Sequence, residues 1–261
     1  MNLIKGKKIL ITRSSEDCGT AFNSLVNSGA ELICLPTIKI IPSYNSLDLT
    51  ELISDSSAFE FIIFTSSNAV EVFSNLVADY KPDLSRTRVA VVGSGTAETC
   101  RSHGIYIHIM PEEFSAKGLI KKFSELNISG KKILIPGSAI SRDELSNGLM
   151  DLGAYVVSLP IYETQLINKD EVPEELLNHL DIKPDLFIFT SPSSFRGYCN
   201  LMNTTDCHKY FEGKIICAIG TTTEEAIRDS GLVVNIVPST FNLRGIAESI
   251  LTFYHNTRNV V

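Results

Sequence analysis

Short apolar runs alternate with amphipathic stretches along this chain. The runs KKILIT, FIIFTS and RVAVVG are rich in Ile and Val and are bounded by turn-forming residues, which is typical of strands buried on both faces. A helical pattern follows the first run, because Phe22, Leu25 and Val26 lie at positions i, i+3 and i+4 and Gly29 is a suitable C-terminal cap. This part of the chain therefore predicts a strand followed by a helix.

The same pattern recurs after the second run. Val70, Phe73 and Val77 fall on one helical face, and the segment Ser66–Asn68 before them offers good N-cap residues. Strands that alternate with helices form parallel sheets with helices on both faces. The chain is therefore predicted to be an α/β protein.

The chain also repeats itself at a spacing of 124 to 127 residues. GKKILI at Gly6–Ile11 recurs letter for letter at Gly130–Ile135, FIIFTSS matches LFIFTSP, and FSAKGLIKKF matches FNLRGIAESI further on. The matching blocks keep the same order in both copies. The repeat predicts two similar parallel-sheet α/β domains.

Two extended segments interrupt the alternation at equivalent places of the repeat. They are PTIKIIP and PIYETQL, and they predict linker strands at 37–42 and 160–166. A linker after the first strand and helix of each copy allows that unit to belong to either copy's sheet. From the residues alone, exchanged and contiguous domains both stay open.

Composition narrows the class of protein. With 261 residues, 44% of them hydrophobic, and a net charge of −7, the chain is expected to be globular and not a broad binder of nucleic acid. No apolar run has the length of a membrane span and the N-terminus does not resemble a signal peptide, so a cytoplasmic protein is expected. The six cysteines form no C-x-x-C pair, which favours buried thiols over a metal site.

Hydroxyl-rich or glycine-rich turns follow the predicted strands, on the side where parallel α/β sheets bind ligands. Such turns expose helix N–H groups that suit a carboxylate or phosphate, although for any single turn simple helix capping is the better interpretation. Six of them favour an anionic ligand. The turns are Thr12–Ser15, Thr65–Asn68, Gly93–Thr96, Gly137–Ser138, Thr190–Ser194 and Gly220–Thr223.

Few side chains are candidates for conventional acid–base or nucleophilic catalysis. The turn Gly93–Glu98 lacks the third small residue of a dinucleotide motif, and neither a P-loop nor a nucleophile elbow occurs. Arg13 and Arg142 follow strand ends and are placed to reach a carboxylate. Tyr162, in the second linker, is either an interface residue or a proton donor.

In their order along the chain, these segments resemble the uroporphyrinogen-III synthase family. The matching stretches are ILITR, LVNSGAELICLPTIKI, FIIFTSSNAV, VAVVGSGTA, KILIPGSAISRDELSNGLMDLGAYVVSLPIYET, LFIFTSPSSF and CAIGTTTEEAI. The resemblance implies two flavodoxin-like domains, one of residues 1–36 plus 167–261 and one of 43–159, joined by a two-stranded linker with the substrate cleft between them.

The resemblance also implies a reaction. A cytosolic, monomeric lyase of haem biosynthesis would close the linear tetrapyrrole hydroxymethylbilane to uroporphyrinogen III, with loss of water and inversion of ring D. It would use no cofactor and no metal, and it would bind neither nucleic acid nor membrane. Because the substrate carries carboxylates, turns rich in N–H and hydroxyl donors fit it.

The resemblance carries over to particular residues. Tyr162 matches the family's cleft tyrosine and is expected to protonate or orient the departing hydroxyl. Thr96 and Thr223 match threonines implicated in binding. The strand-end residues expected to complete the substrate site are Thr12, Arg13, Ser66, Ser67, Gly137, Ser138, Arg142, Ser191, Ser193 and Thr222.

Two other kinds of protein remain alternatives. One is a non-catalytic, two-domain cytosolic protein that closes on an anionic metabolite, which ligand binding without turnover would reveal. The other is a nucleotide-dependent transferase with twin α/β domains, which a thermal shift with nucleotides would reveal.

Overall fold

A computed structural model describes residues 3–43, 59–80, 84, 86–139, 143–204 and 206–257. The chain divides into two compact units. Unit 1 comprises Met1–Lys39 and Gln165–Val261, and unit 2 comprises Ile40–Thr164. No helix within the described ranges is long and apolar enough to cross a membrane.

The sheet of unit 1 has four strands in the order β2-β1-β8-β9. Neighbouring strands are parallel throughout, so their carboxyl ends lie along one edge. That edge carries the turns after β1, β8 and β9. The strands are β1 (Lys8–Ile11), β2 (Glu31–Cys34), β8 (Leu186–Phe189) and β9 (Ile215–Ala218).

Alternation along these strands explains why both faces of the sheet are covered. Ile9 and Ile11 pack into one buried cluster, whereas Leu10 between them packs into another on the opposite face. All three side chains are fully buried. Successive side chains of a strand point to opposite faces, so a run of three apolar residues requires helices on both.

The sheet of unit 2 has five strands in the order β3-β7-β6-β4-β5. The β4–β5, β4–β6 and β6–β7 pairs are parallel. The two segments predicted as linker strands therefore lie in β3 and in the second half of β7. The strands are β3 (Ile38–Pro42), β4 (Phe61–Phe64), β5 (Arg88–Val91), β6 (Lys132–Ser138) and β7 (Tyr155–Leu166).

Helices connect most of the strands and cover the sheets. In unit 1 they are α1 (Ser15–Cys18), α2 (Asn23–Asn27), α7 (Pro192–Leu201), α8 (Cys207–Tyr210), α9 (Thr221–Arg228) and α10 (Leu243–Thr257), with 3-10 segments at Lys169–Glu171 and Glu174–Asp181. In unit 2 they are α3 (Ser67–Tyr80), α4 (Ser94–Ser102), α5 (Ala116–Ser124) and α6 (Glu144–Asp151).

The predicted helix around Phe22 differs from the structure. Two short helices, α1 and α2, replace one, because Gly19 adopts a positive φ of 47° between them. Phe22 and Leu25 are buried as predicted, but Val26 is 48% exposed. The apolar face is therefore narrower than the sequence pattern indicates.

The α/β architecture with parallel sheets is confirmed. The second predicted helix is confirmed as α3, in which Val70 and Phe73 are buried and Val77 packs against the same cluster. The predicted domain limits, the internal repeat and the linker role of the two extended segments stay predictions.

Candidate active site in unit 2

Tyr162 is a buried tyrosine in the middle of a strand. It lies in β7 opposite Ser138, the last residue of β6, and its backbone carbonyl accepts a hydrogen bond from the N–H of Ala139 at 3.0 Å. The residue is only 5% exposed and belongs to the same buried cluster as Phe64, Val70 and Phe73. A phenol placed in such apolar surroundings needs a hydrogen-bond partner.

Ser66 provides that partner. It lies two residues after the end of β4, and its Oγ lies 3.0 Å from the Oη of Tyr162. The same oxygen accepts a hydrogen bond from the backbone N–H of Ala69 at 3.1 Å, so Ser66 also caps α3. The helix N-terminus holds the serine in place.

The surroundings of the pair set its proton chemistry. Burial raises the pKa of the Tyr162 phenol above its ordinary value, and the hydrogen bond with Ser66 opposes part of that rise. The phenol therefore keeps its proton at neutral pH. If it transfers that proton, the hydroxyl of Ser66 can donate to the phenolate oxygen that is left.

Two further predicted residues adjoin the pair. Ser138 is the register partner of Tyr162, and an irregularity in the β6–β7 pairing falls between Gly137 and Ser138. Although Gly137 is buried, no atom of the described residues other than its chain neighbours lies within 4 Å of the position that a Cβ would take there. Among the described residues, the glycine therefore leaves room beside the end of β6.

The turn after β5 contributes Ser94, which was not among the predicted site residues. The predicted residue Thr96 is 7% exposed and lies in the first turn of α4. Ser94 precedes it, and its Oγ is one of three buried side-chain oxygens without a hydrogen-bond partner within the described ranges. An unpaired buried hydroxyl is costly, so it suits an incoming polar group. Its place in the turn Gly93–Thr96 was the available signal.

At the edge of the unit 1 sheet, the hydroxyl of Thr12 is already engaged. Its Oγ1 donates to the backbone carbonyl of Ile188 at 3.3 Å, which ties the end of β1 to β8, and the residue is 2% exposed. Arg13 next to it is partly exposed, and its Nε lies 3.9 Å from a carboxylate oxygen of Asp17. Arg13 is therefore the more accessible of the two.

In the turn after β8, serine side chains are engaged in capping the helix that follows. Ser191 and Ser194 form a reciprocal capping box, in which the Oγ of Ser191 accepts from the N–H of Ser194 at 3.0 Å. The Oγ of Ser193 accepts from Nη2 of Arg196 at 3.3 Å. Arg196 was not selected from the sequence, although its i, i+3 spacing from Ser193 places both on one side of α7.

The remaining predicted residues are scattered. Thr222 is exposed and Thr223 is 3% exposed, both in the first turn of α9, and Ser67 is partly buried at the start of α3. Arg142 lies outside the described residues. The structure thus groups Ser66, Tyr162, Gly137 and Ser138 in unit 2, and the predicted residues of unit 1 lie at the edge of its own sheet.

This fold and this site define a class of protein. It is a parallel-sheet α/β protein whose polar turns follow the strands and in which one buried phenol, held by a helix-capping serine, is the clearest proton donor. Comparisons with known proteins identify the family. Residues 22–248 match the family described as uroporphyrinogen-III synthase HemD, and the chain belongs to this family.

Relatives agree with that assignment. The uroporphyrinogen-III synthase of Synechococcus elongatus is 29% identical over 252 residues, which cover 94% of each chain. The enzyme of the same name from Chlorobaculum parvum is 28% identical over 250 residues, which cover 94% of this chain and 98% of the relative. A non-catalytic binding protein is therefore not favoured.

Solved structures support the fold. A mutant uroporphyrinogen III synthase from the extremely thermophilic bacterium Thermus thermophilus aligns with a TM-score of 0.64 at 15% identity, covering 97% of this chain and 100% of that one. The enzyme from Helicobacter pylori aligns with a TM-score of 0.58 at 18% identity, covering 95% of this chain and 99% of that one.

Proposed function

We propose that this chain, a cyclising lyase of the uroporphyrinogen-III synthase family, closes hydroxymethylbilane with Tyr162 as its proton donor. The observation that carries the proposal is the 3.0 Å contact between Tyr162 Oη and Ser66 Oγ at the end of β4. A buried phenol that keeps its proton can deliver it to a leaving group, and burial, which raises the pKa of Tyr162, keeps that proton on the phenol at neutral pH.

The proposed step begins with the terminal hydroxymethyl group of the substrate. Tyr162 gives its proton to that hydroxyl, the C–O bond breaks, and water leaves behind an azafulvene cation. Ser66 meanwhile donates to the phenolate oxygen of Tyr162. Ring D then attacks the cation, and the proton released when the macrocycle closes restores the phenol, so atoms and charges balance.

The rest of catalysis is proposed to be conformational. Without an enzyme the bilane closes to the symmetric type I isomer, so the protein must hold a folded conformer in which ring D reacts through its substituted carbon. The substrate's carboxylates would be held by helix N–H groups, hydroxyls and arginines. The residues proposed for this role are Thr12, Arg13, Ser66, Ser67, Thr96, Gly137, Ser138, Arg142, Ser191, Ser193, Thr222 and Thr223.

Three finer points belong to the same proposal. Units 1 and 2 would be the two domains of the family fold, with limits near 1–36 plus 167–261 and 43–159. The chain would act as a monomer, which its elution in size-exclusion chromatography would check. It would act in the cytoplasm, as the resemblance implies.

An isomer assay tests the function. Hydroxymethylbilane is generated in situ, the protein is added in catalytic amounts, and the oxidised products are separated into type I and type III porphyrins. Predominantly type III product supports the proposal. Only type I product, formed at the spontaneous rate, would overturn it.

A further inference from the structure

Two cysteine thiols face each other in unit 1. Cys18 is the last residue of α1 and Cys34 is the last residue of β2, and their Sγ atoms lie 3.8 Å apart. A disulfide bond brings two sulfurs to about 2 Å, so the pair has to approach by only about 2 Å to close one. Cys34 is partly exposed, whereas Cys18 is buried.

The two cysteines differ in how firmly they are held. Cys34 is paired with Ile11 in the sheet, and its carbonyl lies 3.2 Å from Nδ1 of His179. Cys18 ends a helix of four residues and precedes Gly19, whose φ of 47° turns the chain. Because a single helical turn has few internal hydrogen bonds, Cys18 is the partner that moves.

The contact also shifts the pKa values of the two thiols in opposite directions. The hydrogen bond lowers the pKa of Cys34, since the Cys18 thiol can donate to a Cys34 thiolate. The same contact, together with burial, raises the pKa of Cys18. Cys34 is therefore the nucleophile of the pair and Cys18 the thiol that resolves it.

We propose that Cys18 and Cys34 are a site of reversible oxidation, at which a peroxide produces an intramolecular disulfide. The sulfur of Cys34 attacks the peroxide, the O–O bond breaks, and Cys34 becomes a sulfenic acid as one water leaves. The sulfur of Cys18 then displaces the sulfenic hydroxyl as a second water. Two thiols have lost two hydrogens, hydrogen peroxide has become two waters, and an added dithiol reverses the change.

Closing this bond would act on the turn after β1. Asp17, the neighbour of Cys18, faces Arg13 at 3.9 Å and donates its backbone N–H to the Oγ of Ser14 at 3.2 Å. Drawing Cys18 towards the sheet therefore displaces the Arg13 side of the turn. A consequence for turnover rests on the proposed function, in which Arg13 binds a substrate carboxylate.

Peptide mapping tests the site directly. Trypsin leaves both cysteines in one peptide, Ser14–Lys39, and cleavage after Glu31 then separates them. After brief peroxide treatment and alkylation, the tryptic peptide should carry no alkyl label and be lighter by two hydrogens, and the second cleavage should leave two fragments linked by sulfur. Cys18→Ser should instead accumulate a sulfenic acid at Cys34 that dimedone labels.

The chain contains a matched control pair. Cys199 and Cys207 also share one tryptic peptide, Gly197–Lys209, and their sulfurs lie 4.0 Å apart. Burial raises the pKa of Cys199 to about 12, so Cys199 should supply little thiolate and this peptide should oxidise more slowly than Ser14–Lys39. Oxidation of both peptides at one rate, or of the control alone, would overturn the proposal.

Turnover provides the second measurement. The peroxide-treated protein should form type III product several-fold more slowly than the reduced protein, dithiothreitol should restore the rate, and Cys34→Ser should keep its rate in peroxide. If the fragments are linked but the rate of type III formation is unchanged, the disulfide does not act on the turn after β1 as proposed. A reduced protein that forms no type III product would instead refute the proposed function, while the peptide masses still decide the oxidation.

Discussion

The turns after β4 and β8 begin with similar sequences, but their serines make different contacts. In unit 2, Ser66 follows FIIFT and its Oγ caps α3 while it contacts the hydroxyl of Tyr162. In unit 1, Ser191 follows LFIFT, and its Oγ is engaged in a reciprocal box with Ser194. Both serines stabilise a helix, but only that of unit 2 also contacts a buried proton donor.

The difference shows what turns a structural motif into a candidate catalytic one. A capping serine accepts a backbone N–H and keeps one hydroxyl hydrogen to donate. In unit 1 the backbone N–H of Ser191 closes the box by donating to the Oγ of Ser194 at 3.2 Å, and the Ser194 hydroxyl donates to the backbone carbonyl of Ser191 at 2.9 Å. In unit 2 Tyr162 reaches the capping serine from β7, and this extra contact arises from sheet order rather than from the turn.

Replacement of Tyr162 by Phe should have the largest effect on activity. The change removes the proposed proton donor and leaves the ring in its apolar cluster, so the fold should be kept. Type III formation should fall about 10–100-fold, and not further, because water can replace the phenol as the acid. Initial rates of type III formation and thermal unfolding of the same samples measure both parts.

The control for this change is Tyr155→Phe. Tyr155 lies in the same strand but is 67% exposed, so its loss should leave the rate within about twofold of the wild type. Wild-type activity in Tyr162→Phe would remove the phenol from the mechanism and reduce the comparison to one of packing.

Replacement of Ser66 by Ala should have the next largest effect. The variant loses the hydrogen bond to Tyr162, so type III formation should fall about 3–10-fold, in keeping with a net hydrogen bond of about 1 kcal/mol. It also loses a helix cap, which should cost about 1 kcal/mol of unfolding free energy. Thr in place of Ser66 keeps the hydroxyl and should recover most of the rate. A rate equal to that of the wild type in Ser66→Ala would show that the serine only caps α3.

The fold was largely predictable because its signals are local. Runs such as FIIF are buried at every residue, and period-2 alternation sends Ile62 and Ile63 to opposite clusters, so an apolar run identifies a central strand. The face of α2 was less predictable, since the exposure of Val26 depends on how a broken helix packs. Propensity gives no measure of that tertiary effect.

The candidate site was predictable in kind but not in contacts. Tyr162 and Ser66 were both selected, yet they are 96 residues apart in the chain, and only the sheet order brings β4 and β7 to either side of β6. Ser94 and Arg196 were missed, because the value of an unpaired hydroxyl or of an i, i+3 contact appears only once neighbouring atoms are placed.

Replacement of Ser191 by Ala tests the other side of the comparison. Loss of the capping box should lower the free energy of unfolding by about 1 kcal/mol, as with Ser66. The rate of type III formation should fall less than in Ser66→Ala, because the Ser191 hydroxyl is engaged within its own helix turn. Chemical denaturation and the isomer assay, run on both alanine variants, give the two numbers. Equal losses of rate would mean that both turns bind substrate in the same way.

The smallest expected effect is a shift in titration. Burial raises the pKa of Tyr162, so its phenol should titrate above the ordinary value of about 10. Type III formation should therefore not decline through loss of this proton until the pH exceeds about 10. The native state then holds the proton more tightly than the unfolded chain, so the stability that this phenol contributes should fall as the pH rises above about 10.

The tyrosinate absorbance of the wild type minus that of Tyr162→Phe isolates this group. In Ser66→Ala the titration should move still higher, because the hydrogen bond that lowers the pKa is gone; movement in the opposite direction would show that Ser66 does not stabilise the phenolate.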